Sequence, residues 1–316
     1  MTQPTASCDP RFAAALAPLA PAGRIGIAVS GGPDSLALLL LAAAARPGAI
    51  EAATVDHRLR PQSRAEAEAV AAICAEMAVP HTILTARWAD PPTANVQARA
   101  RDERYALLAA WAADRKLVAV ATAHHADDQA ETLLMRLARG AGISGLAGIR
   151  PSRPLAPGVA LIRPLLAWRK AELEAVVTAA GLSALDDPSN RDPRHDRARL
   201  RSWLADAPLD PERLAASAAW LGEADDALDW SLAQADRLNH CGNIVTLDPK
   251  NLPRELQRRL LLAAFAALGA PPPRGPDLAR ALDALTRGAT ITLAGYKLSG
   301  GARWTLAAAP PRTRRS

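Results

Sequence analysis

The chain has few cysteines, few aromatic residues and no long apolar run. Its three cysteines, Cys8, Cys74 and Cys241, lie far apart and none belongs to a C-x-x-C pair. This spacing argues against a disulfide framework and against a thiolate zinc site. The longest apolar runs, 36–45 and 260–270, are too short to span a membrane, and no secretory signal pattern is found at the start. The sequence therefore predicts a cytoplasmic protein without membrane association.

Lysine is scarce as well, and its positions exclude one class of nucleotide-binding protein. The 316 residues include 38 Lys and Arg against 32 Asp and Glu, a formal net charge of +6 at pH 7, but lysine occurs only four times. None of these lysines follows a glycine, which excludes the Walker A loop of P-loop kinases and GTPases. The positive charge excludes an acidic, solvating chain and favours a polyanionic partner, whose phosphates suit the planar guanidinium group.

The chain is rich in apolar residues, which make up 49% of it and fall into alternating patterns. Strands are predicted at 24–30, 49–57, 81–85 and 117–123, with helices at 34–45, 63–78, 94–115 and from about 128. This order predicts an α/β domain with a parallel sheet covered by helices on both faces. Ligands are then expected beyond the carboxyl ends of the strands.

Two prolines, Pro208 and Pro211, mark a boundary after the predicted α/β domain. We therefore predict two domains, residues 1–206 and 207–316. The second is expected to be smaller and mainly helical, with helices at 211–238, 253–269 and after 271–276, a β-hairpin or two within 289–307, and a basic tail.

The segment SGGPDS (30–35) joins the first predicted strand to an apolar helix. Gly31 and Gly32 allow close approach of the backbone to a phosphate, and the helix N-terminus favours an anion. Pro33 is predicted to bind a nucleotide as part of the same loop. Hydroxyls of Ser30 and Ser35 can donate to phosphate oxygens, and Asp34 can hold a phosphate-bound Mg²⁺. The alternative is a simple tight turn in which Asp34 or Ser35 caps the helix.

SGGPDS resembles the pyrophosphate (PP) loop of the N-type ATP pyrophosphatases, which transfer AMP from ATP to a carbonyl oxygen. Further motifs appear in order between residues 24 and 204. Together they resemble the tRNA(Ile)-lysidine synthase family. They are DHRLRPQS (56–63), NVQARARDERY (95–105), TAHHADDQAETLLMRLARGAGISGLAGI (122–149), RPLL (163–166) and DDPSNRDPRHDRARLR (186–201).

This resemblance implies a two-step ligation with ATP and Mg²⁺. The wobble cytosine of a tRNA(Ile) with a CAU anticodon is adenylated, and L-lysine then replaces the activated oxygen. The products are lysidine, AMP and pyrophosphate, and decoding changes from AUG to AUA. Activation is needed because a ring carbonyl oxygen is a poor leaving group and AMP a good one. The resemblance leaves the oligomeric state open, with a homodimer as one alternative.

The lysine step calls for a carboxylate site. The ε-amine has an ordinary pKa near 10.4, so freeing it of its proton at pH 7 costs about 4.6 kcal/mol. Asp128 and Glu131, three residues apart on one helix face after the fourth strand, are the candidates for binding the ammonium group and accepting its proton. The alternative is that they form a capping pattern that starts the helix.

The resemblance extends to residues that would contact the nucleotide and the RNA. Arg101 and Arg104 match the pattern AR-x-x-RY, with Arg104 as a catalytic group; their alternative is a solvated helix face. Asp56, His57 and His124 are expected at the nucleotide site. Five arginines further along the chain could bind AMP or the anticodon stem. In this segment His195 and Ala198 depart from the family pattern. The members of this arginine cluster are Arg191, Arg194, Arg197, Arg199 and Arg201.

Two other functions fit parts of the sequence. One is another adenylating PP-loop enzyme, such as a tRNA thiolase or an amidating ligase, although thiolases of this kind use paired cysteines. The other is a non-catalytic RNA-binding protein, for which an intact SGGPDS loop has no use. Trp203, Trp220, Trp230 and Tyr105 could stack on bases, but core packing is the prediction for each.

Overall fold

The computed structural model describes residues 8–20, 22–59, 62–88, 96–185 and 196–309. The chain divides into two compact units, 1–222 and 223–316. This division falls inside a helix, and the predicted domain boundary at 206/207 stays a prediction. None of the described helices has the length and apolarity of a membrane span.

The first unit is built on a six-stranded sheet in the order β3-β2-β1-β4-β6-β5. The first five strands in that order run parallel, and β5 joins β6 as an antiparallel edge. The predicted α/β fold with a parallel sheet is confirmed. The strands are β1 (Ile25–Ala28), β2 (Ile50–Asp56), β3 (His81–Thr85), β4 (Ala119–Ala121), β5 (Ser152–Ala156) and β6 (Val159–Ile162).

Helices connect these strands and cover both faces of the sheet. Those that begin within the first unit are α1 (Pro10–Leu16), α2 (Pro33–Ala45), α3 (Ser63–Glu76), α4 (Val96–Asp114), α5 (Ala126–Leu137), α6 (Ile143–Leu146), α7 (Lys170–Ala179), α8 (Asp196–Asp206) and α9 (Pro211–Ala233). Helix α2 is buried from Ser35 to Ala42, because β1 and β2 pack on it together with α1, α3 and α7. Helix α4 packs on the opposite face through Leu108 and Trp111. A Cβ atom on Gly26 of β1 would lie 2.5 Å from the Trp111 ring, so this close packing requires glycine.

The second unit combines helices with an antiparallel sheet. After the end of α9 it contains α10 (Arg254–Ala267) and α11 (Gly275–Thr286). Its five strands, in the order β7-β8-β11-β10-β9, are β7 (Leu238–Cys241), β8 (Ile244–Leu247), β9 (Thr290–Leu293), β10 (Tyr296–Ser299) and β11 (Trp304–Ala308). The strands predicted within 289–307 are therefore present. The predicted helix 211–238 is too long, since α9 ends at Ala233 and a hairpin follows.

The tryptophans of α8 and α9 lie on the surface. Trp203, Trp220 and Trp230 are 54%, 68% and 66% exposed, so the prediction that each packs in the core is wrong. Tyr105 is half-buried, with the guanidinium groups of Arg101 and Arg153 stacked 5.0 and 4.7 Å from its ring centre. The apolar cores of both units are complete without these three tryptophans.

A buried arginine stabilises the second unit. Arg259 of α10, only 6% exposed, is held by Asp225 (2.6 Å) and Asp229 (2.5 Å) of α9 and by Glu255 (3.0 Å) one turn earlier. Neighbouring Arg258 pairs with the same glutamate at 2.6 Å but is more exposed. A buried cation surrounded by carboxylates costs much to unpair, because the remaining charges lose both water and partner.

We predict that Arg259→Ala lowers the free energy of unfolding of the second unit by about 3 kcal/mol, the lower end for a broken buried ion pair, since Asp229 and Glu255 reach solvent. Arg258→Ala, the matched control, should cost less than about 1 kcal/mol. Amide hydrogen exchange of α10 in the full chain measures both effects. Equal protection in the two variants would contradict the assignment.

Candidate functional site

A cavity of about 1160 Å³ lies at the carboxyl ends of β1, β2 and β4, entirely within the first unit. This is the sheet edge at which the sequence predicts ligands. Most of the predicted site residues that the structure describes line the cavity. They are Ser30, Gly32, Pro33, Asp34, Ser35, His57, Arg101, Arg104, His124, Asp128 and Arg201.

The loop after β1 is held by its own serines. Ser35 Oγ accepts a hydrogen bond from the Ser30 amide (3.1 Å), donates to the Gly32 carbonyl (2.9 Å) and lies 3.2 Å from Ser30 Oγ. Gly31 has φ +87°, which favours glycine, and a Cβ atom on it would lie 2.5 Å from Leu185 Cδ1. Gly32 is the N-cap of α2 and Pro33 follows. The alternative in which Asp34 or Ser35 caps the helix is therefore wrong.

Asp34 has the environment of a cation ligand. Its Oδ1 atom is buried without a hydrogen-bond partner, while Oδ2 lies 3.6 Å from His125 Nε2. Carboxylate oxygens are preferred ligands of Mg²⁺, which commonly takes the rest of its shell from phosphates and water. Among the described residues, no group of three His, Cys, Asp or Glu side chains forms a metal site. Asp34 thus fits a Mg²⁺ that arrives with phosphates.

His125 is a member of the site that the sequence did not identify. It is 3% exposed and precedes α5, with Nδ1 3.5 Å from Asp127 and Nε2 3.6 Å from both Asp34 and Asp128. Burial alone would lower the pKa of His125, but the carboxylates of Asp127, Asp34 and Asp128 raise it to about 10. The imidazole is therefore a cation at neutral pH. A histidine directly before an acidic helix start was the available signal.

Asp128 and Glu131 lie on the same helix but in different surroundings. Asp128 lines the cavity, and its Oδ2 accepts a hydrogen bond from the His125 amide at 3.2 Å. The alternative of a capping pattern formed by Asp128 and Glu131 is wrong, because the N-cap of α5 is His125 and Glu131 takes no part in the cap. Glu131 is 2% exposed and is not among the lining residues; its Oε1 accepts from Arg201 Nε at 2.7 Å. Arg201 does line the cavity, so its guanidinium group lies between the cavity and the Glu131 carboxylate.

His57, which follows β2, contacts Arg104 and orients its guanidinium group. His57 Nε2 accepts from Arg104 Nε at 3.3 Å, and the His57 carbonyl accepts from Trp88 at 2.7 Å. Burial and the positive charge of Arg104 lower the pKa of His57 to about 4, which keeps its ring neutral and able to accept. Asp56 is buried and binds the Arg58 amide and the Ser63 hydroxyl, at 3.0 and 2.7 Å. Asp56 orders its own turn and does not line the cavity.

The remaining predicted residues divide between the cavity and the surface. His124 lines the cavity, and its Nδ1 lies 3.0 Å from Thr122 Oγ1. Arg199 is exposed on α8 and does not line the cavity. Arg191 and Arg194, together with the side chain of Arg197, lie outside the described residues.

The chain is similar in sequence to known proteins. A family profile described as PP-loop domain matches residues 5–207. A tRNA(Ile)-lysidine synthase of Novosphingobium aromaticivorans is 48% identical over 308 residues, covering 95% of this chain and 93% of that protein. One of Zymomonas mobilis is 43% identical over 297 residues, covering 92% and 90%.

Among solved structures, a U34-tRNA thiolase from Methanococcus maripaludis is similar in fold. The TM-score is 0.56 at 18% sequence identity, covering 68% of this chain and 76% of the thiolase. At this identity the likeness concerns the fold alone, and it agrees with the parallel sheet described above.

The two loop glycines allow a matched test. Gly31→Ala should strain a backbone with φ +87°, at about 1–3 kcal/mol, and should abolish the shift in melting temperature caused by ATP. Gly32→Ala, whose new Cβ would meet only Ser30 Oγ at 3.8 Å, should fold as the wild type does. Thermal melting of each variant with and without ATP measures the stability and the ATP-dependent shift. A shift in Gly31→Ala as large as that of the wild type would exclude the loop from ATP binding.

Proposed function

The chain belongs to the tRNA(Ile)-lysidine synthases, a family built on the PP-loop domain, and from this premise we propose how its cavity performs the reaction. The protein is an ATP-using ligase that modifies tRNA(Ile). The observation that carries the residue assignment is that Asp34 of the loop and Asp128 of α5, which both line the cavity, also both contact the imidazole of buried His125.

In the first step, we assign ATP to the loop. Ser30, Ser35 and the first amides of α2 would bind its phosphates, and Asp34 would hold Mg²⁺, which neutralises phosphate charge when bound. Arg101, Arg104 and His124 line the same cavity and would contact the nucleotide. The cytosine carbonyl oxygen forms a bond to the α-phosphorus, and the bond to pyrophosphate breaks. Arg104, which donates to neutral His57, would stabilise charge on the phosphates.

In the second step, we assign lysine to Asp128 and Glu131. The ammonium group binds the carboxylates, and Asp128, which lines the cavity, accepts a proton as the amine attacks the activated ring carbon. The new carbon–nitrogen bond forms while the bond to the AMP oxygen breaks. Arg201, paired with Glu131 at 2.7 Å, must yield its position to the ammonium group. L-lysine and Mg²⁺ are thus parts of this proposal.

We further propose that the RNA is held by the arginine cluster 191–201 and by residues 207–316, and that the enzyme acts in the cytoplasm. The thiolase alternative gains no support from the cysteines. Cys74 is buried, and burial raises the pKa of its thiol to about 11, which disfavours the reactive thiolate. Cys8 and Cys241 are exposed and unpaired.

The direct test incubates the purified protein with ATP, Mg²⁺, lysine and a tRNA(Ile) transcript that carries a CAU anticodon. After digestion, mass spectrometry should detect a lysine–cytidine adduct that requires both ATP and lysine. Pyrophosphate release that depends on tRNA but yields no adduct would confirm activation and refute the assigned nucleophile.

Asp34→Asn should abolish pyrophosphate release that depends on tRNA, because the amide is a poorer Mg²⁺ ligand and cannot pair with His125. Binding of tRNA, measured by filter retention, should stay close to that of the wild type, because Asp34 bears no positive charge. An active Asp34→Asn enzyme would remove this carboxylate from the mechanism.

Glu131→Gln should raise the KM for lysine by about tenfold or more, since the amide loses a charge-assisted contact with the ammonium group. Pyrophosphate release should change much less. Glu68→Gln is the matched control, because it removes another 2.7 Å ion pair, with Arg64, on an exposed surface. Equal loss of both steps in Glu131→Gln would instead give Glu131 a structural role.

A further inference from the structure

One buried imidazole connects the first turns of three helices. His125 lies within 3.6 Å of Asp34 at the start of α2 and of Asp127 and Asp128 at the start of α5. Asp127 in turn accepts the Lys170 amide at 2.8 Å and the Arg169 guanidinium at 3.1 Å, at the start of α7. Because the ring is 3% exposed, these contacts are shielded from water.

The ring binds these carboxylates from opposite edges. Nε2 faces Asp34 and Asp128, while Nδ1 faces Asp127. An imidazole ring is planar and rigid, and its two nitrogens face opposed directions, so one ring can contact carboxylates on both edges. Carboxylates that share one small space repel each other, so a rigid group between them sets their spacing.

Asp127 anchors the ring to the fold. Burial alone would raise the pKa of Asp127, but His125, Arg169 and the Lys170 amide hold it well below its usual range. Asp127 therefore stays charged, and because α7 holds it at 2.8 and 3.1 Å, its contact 3.5 Å from Nδ1 limits where that edge of the ring can lie. On the other edge, Nε2 lies 3.6 Å from both Asp34 and Asp128.

We propose that His125 is a positioning residue that holds Asp34 and Asp128 on one ring nitrogen, so that the base adenylated beside Asp34 lies within reach of the amine held by Asp128. This inference rests on the proposed function, because it requires ATP chemistry at Asp34 and lysine at Asp128. It adds to that function a single group on which both half-reactions depend.

The variant His125→Gln tests this inference. We expect the rate of tRNA-dependent pyrophosphate release to fall and the KM for lysine to rise, each about 10–100-fold, the usual effect of losing a partner that orients a ligand. Asp128→Asn should change the KM for lysine alone. Glu68→Gln, on the exposed surface of α3, is again the control and should leave both half-reactions unchanged.

A double-mutant cycle separates positioning from a general loss of structure. If His125 acts through Asp128, His125→Gln should add little to the KM for lysine once Asp128→Asn is present. Independent effects that add would overturn the inference, as would a wild-type value for either half-reaction in His125→Gln. Melting curves of each variant verify that the compared proteins are folded.

A second measurement leaves His125 and its carboxylate partners unchanged. In the wild-type protein labelled with ¹⁵N-histidine, Mg²⁺ with a non-hydrolysable ATP analogue and lysine should each shift the ring signals of His125. These signals are assigned by elimination with variants of the other five histidines. Ring signals that respond to neither ligand would overturn the inference. Failure of the wild type to form lysidine would instead refute the proposed function, so the two failures are distinct.

Discussion

The site depends on how the fold neutralises the carboxylates that it gathers at the helix N-termini. Asp34, Asp127 and Asp128 come together around His125, and Arg169 completes the group. Like charges a few ångströms apart repel strongly where water is excluded, so this packing requires nearby cations. Three carboxylates against an imidazolium and a guanidinium leave one negative charge in excess. That excess lies where the proposal puts Mg²⁺ beside Asp34 and the ammonium group beside Asp128.

The sheet of the first unit could be predicted because its signals are local. Buried runs such as 24–30 and 117–123 are short, rich in apolar residues and separated by clear helices, and β1 and β4 lie within them. Strands β5 and β7 carried no such signal, since β5 is a largely exposed edge that contains Pro154 and β7 is a short, mostly exposed strand. Trp203, Trp220 and Trp230 were misplaced because composition suggests burial, while exposure depends on which helix face meets a neighbour.

The candidate site shows the same limit. The location of the loop 30–35 and of Asp128 at the cavity could be predicted from sequence, because it follows from their position after a strand. The partners of these residues could not. Asp34 and His125 are 91 positions apart, and Glu131 and Arg201 are 70 apart, so only the folded chain brings them together. Asp56 was predicted at the nucleotide site from its motif, but its carboxylate binds the Arg58 amide and the Ser63 hydroxyl of its own turn. A residue type and a motif alone do not distinguish these two positions.

Under the proposed assignment, lysine must displace Arg201 from Glu131 in order to bind. Binding becomes an exchange of one cation for another on a buried carboxylate, not the occupation of an empty anionic pocket. In such an exchange part of the attraction between charges cancels, because the guanidinium group loses a contact as the ammonium group gains one. Discrimination among amino acids must then also draw on the length and shape of the aliphatic chain that carries the charge.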